Sequence, residues 1–268
     1  MSNRVSLIKG NDLSVIESNQ MQVIPDPRQM SLFEAAGTAA PASFDPLSLN
    51  PILWLDASDT DTITAAAGKV SQWDDKSTSG FNVTQGTTAK MPTTGTLTIN
   101  SLNVLDWGSS INDINLTTTE SGQNWQDIYI VGRYDEGASF TTSFTTLVSA
   151  YSSSGSPSSG LCLLSKAATT TELLSSAKWW DNVLINDVAL SSPFAILPAL
   201  NSAALISCSA DSSISVNGLC IGADRKGGGG QANRGWKGVI AEIFCFGSKL
   251  SDGDRTELVS YINSKWGL

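Results

Sequence analysis

The sequence contains no histidine. That removes the usual general base near neutral pH, every serine or cysteine triad built on imidazole, and every histidine metal site. Charge is scarce as well: charged residues make up 15% of the chain, and 16 Lys and Arg stand against 25 Asp and Glu, a net −9. A body of that sign repels nucleic acid and anionic membrane, so neither is an expected partner. There is no C-x-x-C pair. Cys162, Cys208, Cys220 and Cys245 stand singly in LCLL, ISCSA, GLCIG and IFCFG, the pattern of buried free thiols rather than of disulfides or metal ligands. No run of 18 apolar residues occurs, and the opening MSNRVSLIKGNDLSV lacks the apolar stretch of a signal peptide. A soluble protein without an export signal is expected.

What the chain does have is apolar residues, 41% of the total, enough for a sizeable core. From Pro51 onward they fall in short segments: ILWLDAS, KVSQW, TLTIN, NVLDW, DIYIVGRY, TTLVSAY, WDNVLIND, ALISCSA, SISVN, GLCIGA and GVIAEIFCF. Many strands of four to eight residues, rich in Thr and Ser and broken by Gly, Asn and Asp, predict an all-β sandwich or barrel. Asn217-Gly218 between SISV and LCIG predicts a tight hairpin. One helix closes the chain: Ser251 caps it with Asp254 three residues on, Leu258, Val259, Ile262 and Trp266 recur on one face, and Gly267 ends it.

Residues 1–46 differ from the rest. Short apolar pieces (VSLI, LSVI, MQVI) are split by polar residues, and PDPRQMSLFEAAGTAAPASFDP follows, with Met30 to Ala36 able to form a helical turn or two. This segment is read as an arm and linker that cannot build a core alone, with Leu7, Ile8, Val15, Ile16, Val23, Ile24, Leu32 and Phe33 as the residues available to hold a partner. Residues 47–268 form the second expected domain.

Several stretches invite a chemical reading. KGGGGQANRGWKG imitates a phosphate loop, but Trp236 and Lys237 stand where a Walker A motif needs Lys and Ser or Thr, and a strand follows instead of a helix. No nucleotide or other cofactor is expected. Arg225, Lys226, Arg234 and Lys237 remain as a local basic group that could meet an acidic glycan or a partner's acidic face. Trp179, Trp180 and Trp236 are candidates for stacking on a sugar ring. Asp56, Asp59 and Asp61 in LWLDASDTDT lack calcium-loop spacing and read as turn formers, as do Asp74 and Asp75 in WDDKS, so no metal site is expected. The glutamates contain no alternating pair of the kind a β-glucanase needs. Glu242 stands alone in GVIAEIFCF, either a buried hydrogen-bonding group or a charge at a strand edge.

Taken together, LNPILWLDASDTDTI, KVSQWDDKSTSGFNVTQ, LNVLDWGSSINDINL and WKGVIAEIFCFGSKLSDGDRTELVSYINSKWGL resemble the concanavalin A-like lectin/glucanase, or laminin-G-like, jelly-roll modules of bacterial surface and phage virion proteins. The resemblance covers residues 48–268. It implies two stacked antiparallel sheets, with Trp54, Trp73 and Ile240 to Phe246 in or near the core, and functions in carbohydrate binding, adhesion or display. Joined to the arm, it implies a non-enzymatic virion structural protein, assembled in the host cytoplasm and displayed on the virion surface. Its partners would be other virion proteins, a glycan and further copies of itself, trimers being common among jelly-roll surface proteins. A free carbohydrate-binding module is the alternative, and a glycoside hydrolase stands last because the paired glutamates are missing.

Overall fold

The computed structural model describes residues 5–9, 12–16, 44–108, 113–118, 123–134, 145–150, 162–165, 173–174, 180–190, 202–223 and 235–268. The chain divides into two compact units, Met1–Ser43 and Phe44–Leu268. In the first, β1 (Val5–Lys9) and β2 (Asp12–Ile16) pair antiparallel, with Val5 opposite Ile16 and Lys9 opposite Asp12. The sequence pattern did not foretell this ribbon, because each apolar piece is too short to show a period by itself. Val23, Ile24, Leu32, Phe33 and the Met30–Ala36 turn lie outside the described residues. The second unit begins three residues before the expected boundary: Phe44 packs on its core and faces Tyr261 with ring centroids 5.8 Å apart.

The second unit is built from antiparallel strands. One sheet of eight runs β14 (Leu173–Leu174), β13 (Cys162–Ser165), β12 (Thr145–Ala150), β18 (Leu219–Ile221), β10 (Leu116–Thr118), β6 (Val83–Thr84), β5 (Lys69–Trp73) and β4 (Ile63–Ala66). A seven-stranded sheet runs β16 (Val188–Ala189), β15 (Asn182–Ile185), β17 (Ala204–Val216), β11 (Gln123–Tyr134), β19 (Gly238–Phe246) and β3 (Leu53–Asp56), with β9 (Leu105–Asp106) also paired to β19. A small ribbon, β7 (Thr98–Ile99) with β8 (Leu102–Asn103), stands apart. Residues from both large sheets share one apolar cluster, including Val70, Trp73 and Ile221 from the first and Leu55, Ile130 and Ile243 from the second. The fold is therefore β-sandwich-like.

The centre of the seven-stranded sheet is buried on both faces, while its β16 edge is exposed. All nine residues of β19 are buried, which is why GVIAEIFCF lacks the polar alternation of a half-exposed strand. Its outer face carries Trp54, Tyr129, Phe244 and Phe246 and is covered by α1 (Asp252–Trp266), the one α-helix among the described residues. The capping is the expected one: Ser251 Oγ accepts from Asp254 N–H, and Gly267 at φ 69° closes the C-terminus. Leu258, Val259, Ile262 and Trp266 form the buried face.

Two local expectations need correction. Asn217-Gly218 does not close a hairpin: β17 belongs to the seven-stranded sheet and β18 to the other, so this turn carries the chain from sheet to sheet. Gly218 alone takes a positive φ, 78°, whereas a type I′ hairpin turn needs two such residues. Asn186-Asp187 between β15 and β16 meets that need, at φ 46° and 63°. ALISCSA and SISV are likewise one strand, β17, bent where its pairing with β11 jumps from Ser209 opposite Asp127 to Ile214 opposite Trp125. The exposed residues at that jump produce the break in the apolar pattern. Cys208, Cys220 and Cys245 are free and buried, as their settings suggested.

Candidate functional site

Glu242 would be out of place in this apolar strand but for a bulge. Pairing between β11 and β19 shifts from Val131 opposite Glu242 to Gly132 opposite Ile240, leaving Ala241 as the extra residue. Ile240 and Ile243 then both face the inter-sheet core, while Ala241 lies on the outer side. Glu242 is left with its carboxylate under α1, fully buried at 0% exposure.

There it is fully coordinated. Oε1 accepts from Trp54 Nε1 and from Lys265 Nζ, each at 2.9 Å, and Oε2 accepts from Trp266 Nε1 at 2.6 Å. Lys265 Nζ also lies 2.8 Å from Asp56 Oδ1. Asp56 sits opposite Glu242 in the β3–β19 register. Lys76 Nζ approaches Asp56 Oδ2 at 3.1 Å and Asp59 Oδ2 at 2.7 Å. Signs alternate along the chain Asp59, Lys76, Asp56, Lys265, Glu242, which is how a low-dielectric site tolerates so many charges. Aromatic rings line it: Lys76 lies 4.3 Å from the Trp54 ring centroid, and Lys265 lies 5.1 Å from that of Trp266.

Local turns hold these groups in place. Asp75 accepts backbone N–H bonds from Trp54, Ser77 and Phe81, and Lys76 N–H donates to Trp54 C=O. The WDDKS segment thereby caps the free edge of β3 and delivers Lys76 to the site. Asp56 Oδ1 also accepts from Ser58 N–H at 3.0 Å and Ser58 Oγ at 2.6 Å, an Asx-type turn. Asn100 Nδ2 donates to Lys265 C=O, fixing the last helical turn.

The electrostatics differ between the two carboxylates. Burial pushes the Glu242 pKa up, Lys265 pulls against it, and the charge of Asp56 adds to the rise. Burial would also raise Asp56, but Lys265, Ser58 and Lys76 outweigh it and hold that carboxyl below its usual range. Lys76 is raised: burial opposes its charge, and the carboxylates of Asp59 and Asp56 more than restore it.

The sugar-stacking expectation fares differently. Trp180 and Trp236 are only 3% and 2% exposed and belong to the inter-sheet core. Trp236 packs edge-on against Tyr134 with centroids 5.2 Å apart. Neither offers a ring face to a pyranose, which corrects the reading made from their flanking sequence. Lys237, grouped with the basic loop, is buried too. Trp179, Arg225 and Arg234 lie outside the described residues. Of the two readings open for Glu242, the structure gives the buried hydrogen-bonding group. Sequence reasoning missed Lys265, a single lysine in the last turn of α1 with no motif around it. No family model, curated protein or solved structure matches the chain.

Proposed function

We propose that this chain is a non-enzymatic structural protein of a virion, in which the first unit is an attachment arm and the second a displayed jelly-roll module of the concanavalin A-like kind. The observation that carries this reading is the division at Ser43/Phe44: a short strand ribbon precedes a large β-sandwich-like body that has its own two-sided core. A two-stranded ribbon is marginal in water by itself and gains stability when its strands are extended by a neighbour. Leu7, Ile8, Val15 and Ile16 lie in that ribbon. The buried charge chain supports a structural role for the second unit as well, since every oxygen of Glu242 and Asp56 already has a donor.

Deleting residues 1–43 tests the division of labour. The remaining body should stay folded, with unchanged near-ultraviolet circular dichroism, and should no longer be incorporated into particles. Undiminished incorporation of the truncated chain would refute the reading.

A further inference from the structure

The buried charge chain brings an amine, a carboxyl and a second carboxylate together with the polarity that amide formation needs. We propose that Lys265 and Asp56 join in an intramolecular isopeptide bond, formed by the folded protein on itself with Glu242 as proton carrier. The cross-link would tie the first strand of the second unit to its last helical turn.

Three observations support it. The reacting groups are already in contact: Lys265 Nζ is 2.8 Å from Asp56 Oδ1 and 2.9 Å from Glu242 Oε1. The fold thus holds amine and carboxyl in one place, and such fixed proximity favours an intramolecular reaction over its counterpart in solution. The groups are also shielded from water, with side-chain exposures of 15% for Lys265, 5% for Asp56 and 0% for Glu242. Exclusion of water disfavours hydrolysis of the product, and a neutral amide removes the cost of keeping two opposite charges out of water. Finally, donors stand where charge would build. Ser58 N–H and Oγ–H point at Asp56 Oδ1, and the Lys76 ammonium at Oδ2. Both oxygens are thus supported as the carbonyl carbon becomes tetrahedral.

The step balances without any co-reactant. Glu242 takes one proton from the Lys265 ammonium, a role suited to a carboxylate whose proton affinity burial has raised. The freed nitrogen pair adds to Asp56 Cγ, forming the C–N bond and breaking the carbonyl π bond. The carbonyl π bond re-forms as the C–O bond to one carboxyl oxygen breaks, and that oxygen leaves as water, carrying the proton held by Glu242 and a second proton from the added nitrogen. Ammonium and carboxylate become one amide and one water, with no change in total charge. Glu242 returns to its ionised form and accepts a hydrogen bond from the new amide N–H. The two buried opposite charges are gone.

Intact-mass measurement of the full chain provides the test. The wild-type protein should weigh one water less than its sequence, and digestion should yield a branched peptide joining the Asp56 and Lys265 segments. Lys265→Arg keeps the cation and its hydrogen bonds but has no nucleophilic amine, so it should fold normally, judged by tryptophan fluorescence, and show the full sequence mass. Glu242→Gln should slow or abolish the water loss. A folded wild-type protein that retains its full mass after prolonged incubation would overturn the proposal. So would a water loss that persists in Lys265→Arg, or one that runs at an unchanged rate in Glu242→Gln.

Discussion

The two faces of the seven-stranded sheet both carry a buried apolar cluster, yet they treat their tryptophans in opposite ways. Beneath α1, Trp54 and Trp266 both give their indole N–H to Glu242. Between the sheets, the indole nitrogens of Trp73, Trp125, Trp180 and Trp236 are buried and find no acceptor among the described residues. The inter-sheet layer relies mainly on shape and apolar area, and each of these orphan N–H groups costs it on the order of 1–3 kcal/mol. The outer layer arranges its apolar area around a polar knot that joins helix, β19 and β3, with buried Asp127 accepting from Leu250 N–H as a further polar contact. Filling a volume leaves many ways to slide; satisfying five alternating charges leaves few. This contrast predicts that the outer layer fails when a polar partner is removed, and the inner layer when its shape is changed.

The strongest test removes the centre of the knot. Glu242→Ala strands two indole N–H groups and leaves Lys265 and Asp56 without their common neighbour, so the loss should reach about 3–5 kcal/mol, the range for breaking a buried ion pair. Urea denaturation in the Lys265→Arg background, where no cross-link can form, measures it. A loss below about 1 kcal/mol would mean that the knot is dispensable and the contrast false.

Shape is tested at Gly222. Its backbone bridges the inner layer, donating to Leu147 C=O and accepting from Trp236 N–H, each at 2.8 Å. Its φ is 80°, and a Cβ there would lie 1.7 Å from Trp107 Nε1. Gly222→Ala combines left-handed strain with a clash against a buried ring and should cost about 2–4 kcal/mol. The same assay reads it.

A matched pair sharpens the comparison further. Trp266→Phe and Trp73→Phe each remove an indole from a site that is almost wholly buried, so the lost volume is similar. Only the first also leaves a carboxylate oxygen without its donor. Trp266→Phe should therefore be the more destabilising by about 1–3 kcal/mol. Equal losses would show that the N–H to Glu242 contributes nothing.

The same contrast explains what the sequence made legible. The all-β character, the closing helix and its caps follow from periodicity and from single residues such as Ser251 and Gly267, whose roles are local, whereas short strands such as β6 and β14 escaped it. The knot was visible only as fragments. LDASD and WDDKS read as turns, which they are, and Glu242 as an isolated carboxylate. Nothing in the spacing says that Lys265 and Lys76 meet at Asp56, because the bulge at Ala241 that turns Glu242 toward the helix has no sequence signal of its own. The tryptophans misled for a related reason. Adjacent aromatics in a strand point to opposite faces and so suggest that one ring is exposed, but Trp180 is the buried one, in the inter-sheet core. Asn217-Gly218 failed as a hairpin because the dipeptide specifies a tight turn, while sheet pairing decides whether the turn joins partners.

The smallest expected effect is the dependence on pH, and it separates the two carboxylates of the knot. The folded pKa of Glu242 lies above its ordinary 4.5 because of burial. Between pH 4.5 and that raised value the folded chain binds a proton that the unfolded chain has released, so stability falls as pH rises through this window. Asp56 has the opposite sign. Despite its burial, Lys265, Ser58 and Lys76 hold its folded pKa below 3.8, so its contribution is present above pH 3.8 and is lost as pH falls through the lowered value. In Lys265→Arg, which keeps both carboxylates ionisable, stability should therefore peak in the mildly acidic range. Adding Glu242→Gln should flatten the alkaline side of that peak and leave the acid side steep. Denaturation midpoints taken across the pH range check it: burial also raises the Asp127 carboxyl, which adds a slope of the same sign, so the readout is the change on Glu242→Gln, and an alkaline slope left unaltered by that substitution would deny Glu242 its part in it.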